Sequence, residues 1–298
     1  LVKESIDEAR TTALDEEAPA SQRTAAVHVL GYGTGHHDWQ ETFASLLGPA
    51  QPMPVQEAAL RVIGRSSSPQ AIEMLIGQWS SLTPDIRSRA IGVFMQTSQR
   101  VSALLNAIES NRIPLSQISS TARSQLLEYS DTTLQNRAQE LLASSAQSPR
   151  SEVIANYQKQ LDLAEGDLEQ GEAVYRAQCS SCHTFQGMGS SLGPPLETVR
   201  DKNPEELLIQ IFDPSREITP GYGLYLLDLD DGRTLQGTIT DESPTGITLK
   251  QPGGVVRTVL RKNIESMSST GRSPMPEGLE HALSPEDVND LLAFIRGE

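Results

Sequence analysis

Apolar positions recur at helical spacing from residue 1 to about 148, interrupted by short Gly, Pro or Ser clusters, and no stretch alternates as a half-buried strand does. This half is predicted to be all-α. Residues 22–31 align with 55–64 and again with 86–95, at offsets of 33 and 31. In each segment small residues sit beside Val, Leu or Ile, which lets one helix lie close on the next, and 70–79 and 100–109 supply a second helix per unit. A period of this size marks stacked helical repeats, because one unit cannot bury its apolar face alone. The last unit, near 120–142, is degenerate.

A break at 144–149 ends in Pro149, and a connecting helix is predicted over 150–163. Residues 167–178 and 204–212 also read as helices. By contrast, 222–229, 233–239, 246–250 and 255–260 read as short strands, separated by Asp-Gly, Ser-Pro and Pro-Gly turn chemistry. Ser284-Pro285-Glu286-Asp287 then opens a final helix, with a capping Ser, Pro at the first helical position and acids in the first turn. Val288, Leu291, Leu292 and Ile295 form its apolar face, with Phe294 alongside. The expected architecture is mainly α: an N-terminal α-solenoid over 1–148, a connecting helix or linker over 149–164, and a second domain over 165–298 with a small antiparallel β insert at about 222–267.

The 298 residues leave room for two cores. No apolar run approaches the eighteen or so residues that cross a bilayer, so no membrane span is expected. Net charge is −15, and it is unevenly placed: residues 1–150 carry 12 basic and 15 acidic side chains, residues 151–298 carry 12 and 24. Such a surface repels phosphodiesters and anionic lipid, which argues against nucleic-acid or membrane-surface binding. The N-terminal residues Leu1-Val2-Lys3-Glu4 contain neither an initiator Met nor an apolar stretch behind a basic start, so the chain is expected to be a mature form or a piece of a longer one.

The two cysteines carry the chemistry. Cys179-Ser180-Ser181-Cys182-His183 is a CxxCH motif, whose thiols can form two thioethers to one haem while the adjacent imidazole reaches the iron. Zinc would need two more ligands, yet no other Cys exists and His28, His36, His37 and His281 lie far off without paired spacing. A thioredoxin-like pair would want a preceding strand, where this sequence predicts a helix. His36-His37-Asp38 could be a metal or base cluster, but sits in a Gly-rich stretch with no further ligand at recognisable spacing. Its neighbour, the Gly-rich run 31–35, follows a helix, so a nucleotide-binding loop is a weak reading, and GxSxG, Walker and HExxH patterns are missing. Leu207, Leu208 and Ile211 on the helix at 204–212 are candidate haem-pocket residues.

The helical units resemble HEAT-like repeats, though short for that class; the resemblance covers about half the chain and implies a scaffold or docking surface. The order helix, CxxCH, loop, Gly193-Pro194-Pro195-Leu196 resembles class I cytochromes c. That resemblance implies that the Pro194 carbonyl accepts the second ring N–H of His183, that Leu196 belongs to the pocket, and that Gly171, Tyr175 and Phe294 lie where the first and last helices cross. It also implies a sixth ligand from a loop before the last helix. Met275, flanked by Pro274 and Pro276, is the first candidate; Met188 is too close to His183, Met267 reads as core, and His281 is the bis-His alternative. Met275 lies 92 positions after His183, a separation that shrinks to 46 once a 46-residue insert, 222–267, is removed.

A narrower resemblance covers about 165–298. CxxCH, GPxL, Phe212-Asp213-Pro214-Ser215, a β segment around Asp231-Gly232 and Gly237, Met275-Pro276-Glu277-Gly278-Leu279 and Asp290-Leu291-Leu292-Ala293-Phe294 together are similar to the Planctomycete and Verrucomicrobium type of haem-binding domain. In that family such domains close long exported proteins, behind helical repeats and a sugar-dehydrogenase-like propeller; no propeller is visible here. The resemblance implies one haem c and electron transfer between a redox partner, or an upstream dehydrogenase domain, and an acceptor. His/Met ligation would saturate the iron, which favours an electron-transfer domain over a catalyst in its own right and leaves enzymatic activity an open question. A ligand-exchangeable haem, acting as gas sensor or haem enzyme, is the alternative reading. A third reading makes the solenoid the working part, a docking platform with a structural haem. Covalent haem attachment places the protein in the periplasm or otherwise outside the cytoplasm.

Overall fold

The computed structural model describes residues 2–33, 39–144, 150–162 and 166–297. Helices α1 (Val2–Leu14), α2 (Ala20–Leu30), α3 (Trp39–Leu46), α4 (Met53–Arg65), α5 (Pro69–Gly77), α6 (Pro84–Phe94), α7 (Ser98–Glu109), α8 (Ser120–Leu127) and α9 (Thr132–Ser144) fill the first half. Several begin with proline in the first turn, where its missing N–H has no intrahelical partner to lose. The three aligned segments fall on α2, α4 and α6, which pack in that order, while α1, α3, α5, α7 and α9 pack in a second row. Their apolar stripes share one continuous core running from Ile6 to Ala138. His36, His37 and Asp38, read from the sequence as a weak metal or base cluster, lie outside the described residues, as does most of the break at 144–149.

The second half contains α10 (Ser151–Gln158), α11 (Leu168–Val174), α12 (Pro204–Phe212) and α13 (Pro285–Arg296). Asp167 caps α11 by accepting from the Glu169 and Gln170 N–H groups at 2.8 and 3.1 Å. Ser284 and Asp287 form a reciprocal capping box at α13, the arrangement the Ser-Pro-Glu-Asp sequence predicts. Two short paired strands, β1 (Thr184–Phe185) and β2 (Met188–Gly189), follow the CxxCH motif.

The β insert has five strands where the sequence reading has four. β3 (Leu224–Leu229), β4 (Thr234–Glu242), β5 (Gly246–Lys250), β6 (Val256–Leu260) and β7 (Ile264–Ser269) form an antiparallel sheet in the order β6-β5-β4-β3-β7. The extra strand is β7, so the insert extends to Ser269. Its apolar positions, Ile264 and Met267, are three apart and both buried. A period of two cannot place both on one face; a bulge does so, since Asp228 pairs with Ser266 and Leu229 with Ile264, leaving Glu265 as the additional residue.

The sheet is wedged between the two halves. On the helical side, Arg261 is 1% exposed and donates to Gln56 Oε1 at 3.1 Å, to Glu242 Oε2 at 3.0 Å and to the Ser243 carbonyl at 3.2 Å. The Met53 N–H donates to the Pro244 carbonyl, and Gln117 Nε2 to Ser269 Oγ. On the other side, Lys250 Nζ donates to the Ser191 carbonyl at 2.7 Å, in the loop that follows CxxCH.

Candidate haem site

The CxxCH cysteines sit at the end of α11, where the chain widens into a single π turn, Tyr175–Cys179, with the Ser180 N–H donating to the Tyr175 carbonyl at 2.9 Å. The next turn closes with the Cys182 and His183 N–H groups on the Cys179 carbonyl, at 3.0 and 2.9 Å. Both thiols are free, and both face one cleft. Burial pushes the Cys179 thiol up to about 11, because a thiolate there would lose its hydration. A helix, not a strand, precedes the pair, so the context is not that of a thioredoxin-like site.

His183 is held from behind. Its Nδ1 lies 2.8 Å from the Pro194 carbonyl oxygen, which can only accept, so Nδ1 carries the proton and Nε2 keeps its lone pair. Burial lowers the affinity of the ring for a second proton, with the Pro194 bond opposing it. Gly193 packs against the ring face: a β-carbon on it would stand 2.4 Å from His183 Cε1 and 2.8 Å from both ring nitrogens. The Gly193 N–H in turn donates to the Cys182 carbonyl at 2.6 Å.

Two helices support this turn by crossing. A β-carbon on Gly171 of α11 would stand 2.1 Å from the Asp290 carbonyl oxygen and 2.6 Å from Phe294 Cβ, so α11 and α13 meet at backbone distance. Beside the crossing, the Tyr175 ring lies 6.0 Å from Phe294, and Phe185 lies 5.2 Å from Phe294 edge-on. Phe185 is a member of this cluster that sequence reasoning missed; an aromatic two residues after the motif histidine was the available signal. Tyr175 is fully buried, and its hydroxyl bonds the His183 and Met188 carbonyls at 2.8 and 3.0 Å.

Pro194, Leu196, Leu207, Ile211 and Met275 line the same cleft as the cysteines and His183. Leu208 does not. It is fully buried, in an apolar cluster that also holds Leu207, Ile154, Tyr157 and Phe212. Helical periodicity marks both leucines as apolar and cannot say which of them reaches the cleft. The competing sixth-ligand candidates also point elsewhere: Met188 packs by the aromatic cluster, Met267 is buried in the sheet, and the His281 side chain is 86% exposed. Leu291, Leu292 and Ile295 of α13 close the apolar wall, and 217–219 with Tyr222 form a rim that the sequence did not mark.

The donor set fits a haem: two free thiols and an imidazole with its far nitrogen unprotonated face one largely apolar, open-mouthed cleft. Residues 166–230 match the family model described as cytochrome c oxidase, cbb3-type, subunit III. No curated protein matches the chain at a significant level. A cytochrome c-like haem-binding domain thus occupies this part of the chain, and such a domain implies covalently bound haem c and an electron-transfer role. The match ends at the turn between β3 and β4, within the inserted sheet. Among the described residues no helix is long and apolar enough to cross a membrane.

Proposed function

We propose that this chain is a one-electron relay that would hold a single haem c through Cys179 and Cys182, with His183 and Met275 as the iron ligands. The observation that carries the reading is the shared cleft: Met275 lines it together with a histidine whose tautomer Pro194 sets. A haem bound there supplies a one-electron iron couple. The protein's part is to orient His183 through Pro194 and Gly193 and to hold Met275 in a Pro-Met-Pro loop, whose Met275 N–H donates to Ser273 Oγ at 3.2 Å. It also excludes water with Leu196, Leu207, Ile211 and α13. Two protein ligands raise the potential and leave no open position for a substrate, which suits a relay better than a catalyst.

In this reading 165–298 is the haem domain, of the Planctomycete and Verrucomicrobium type, joined through 149–164 to a HEAT-like solenoid over 1–148. The repeat supports it: a β-carbon on Gly31 would stand 3.3 Å from Val62, and one on Gly64 would stand 3.2 Å from Val93, the same rung one unit on. The solenoid would serve as docking scaffold, electrons would come from a partner or fused dehydrogenase, and the protein would work in the periplasm or outside the cell.

Optical spectra of the matured holoprotein test the assignment. A low-spin spectrum with a methionine-to-iron charge-transfer band, unmoved by carbon monoxide in the reduced state and altered in Met275→Ala, is expected. A high-spin spectrum that carbon monoxide shifts at once would replace the relay with a ligand-binding haem.

A further inference from the structure

We infer that a second cavity, walled by α6, the first turn of α8, residues 218–221 and β3, binds a small oxyanion, a carboxylate or a phosphate group, through Arg87. The cavity measures about 500 Å³, the size of a small-molecule site. Ser88, Ser120, Thr121, Thr219 and Gln125 give it a polar lining of hydroxyls and an amide, and among the described residues Arg87 is the one charged side chain on its wall.

Arg87 is 8% exposed and has no anionic partner among the described residues. Its Nη2 donates to the Trp79 and Leu82 carbonyls at 3.0 and 3.2 Å, while Nη1 reaches Ser269 Oγ only at 3.5 Å. Nε is buried without a partner. The guanidinium lies 5.2 Å from the Trp79 ring centre and 5.5 Å from that of Tyr225, which offsets part of its desolvation but brings no counter-charge. The carboxylates on adjoining segments are already taken: Asp85 pairs with Arg89, Glu217 with Arg123, and Glu242 with Arg261. Burial lowers the proton affinity of Arg87, with no carboxylate opposing it.

The first turn of α8 adds to this field. Ser119 caps Ala122, and residues 119–122 line the cavity, so the positive end of the helix dipole lies on the same wall as the unpaired guanidinium. In a chain of net charge −15, this is a pocket with one positive charge and several hydroxyls set in a mainly apolar wall. An oxyanion would supply the missing counter-charge and accept from Nη1, whose bond to Ser269 Oγ is long at 3.5 Å, while Nε is shielded and Nη2 is held by the two carbonyls. Ile218 and Thr219 line this cavity and the haem cleft alike, so a single segment separates the two.

Calorimetric titration of the holoprotein with inorganic phosphate and, separately, succinate tests the site, with sodium chloride holding ionic strength constant. Saturable binding of one or both is expected, and the anion that binds identifies the group recognised. Gly92→Leu should weaken binding severalfold, because Gly92 lines the cavity at its exposed mouth and a β-carbon there has no atom within 4 Å, so the new side chain narrows the entrance without a clash. Arg87→Gln should weaken binding by about tenfold or more, the loss of a charge-assisted hydrogen bond. If Arg87→Gln does not fold, Gly92→Leu decides. Absence of binding to either anion, or wild-type affinity in either folded variant, overturns the assignment.

Discussion

The α-carbon of Gly193 is packed so closely on the His183 ring that a β-carbon would fall 2.4 Å from Cε1. The glycine and the following proline carbonyl hold the imidazole from two directions. Gly193→Ala must therefore turn the ring or displace the loop, and either change breaks the 2.8 Å bond to Pro194. Covalent haem is expected to persist, with a larger high-spin fraction and a lower reduction potential in a spectroelectrochemical titration. An unchanged potential and spectrum would show that the ring is not held by this contact.

The crossing of α11 and α13 should be equally intolerant. With the Asp290 carbonyl 2.1 Å from the position of a β-carbon on Gly171, substitution requires the helices to separate and the Tyr175, Phe185 and Phe294 rings to repack. Gly171→Ala is expected to cost about 1–3 kcal/mol in urea unfolding, and Gly171→Val more.

Arg261 ties the sheet to α4 from a position that is 1% exposed. Arg261→Ala leaves Glu242 half-paired in the interior and is expected to destabilise the protein by about 3–5 kcal/mol. Replacing both, as Arg261→Met with Glu242→Leu, should recover much of that loss. A double-mutant cycle by chemical unfolding measures the coupling.

Acid should loosen the join between α10 and the segment before α13. Arg150 pairs with Glu280, and its hydrogen bond holds that carboxyl below its ordinary value of 4.5. A depressed folded-state pKa means the contribution is complete above about 4.5 and is lost as pH falls through the lower folded value. The stability difference between wild type and Glu280→Gln, read from urea midpoints, should be constant from pH 7 to about 5 and vanish in stronger acid. A difference that persists unchanged to pH 2 would show that the pair is not its source.

Local signals were legible where the chain announces its own geometry. The Ser-Pro-Glu-Asp cap, Pro204 at the start of α12, the Asp-Gly turn before β4 and the CxxCH spacing each act within a few residues, through backbone hydrogen bonds and fixed torsions. The fifth strand was hidden because its bulge breaks the period of two, and Leu208, next to Leu207 in one apolar cluster, does not line the cleft although both leucines carry the same sequence signal.

The residue pattern alone therefore fixed the CxxCH spacing, the helices on either side and the presence of an inserted sheet, all of them short-range properties, while the place of Pro194 behind His183 was what the resemblance implied. Which methionine lines the cleft, which face of α12 looks inward, and how the sheet binds the helical half were decided by the folded chain. Gln56 and Arg261, 205 residues apart, meet only after both regions have folded. Contacts at that separation depend on how whole elements pack, and no local pattern of apolar and polar positions encodes them.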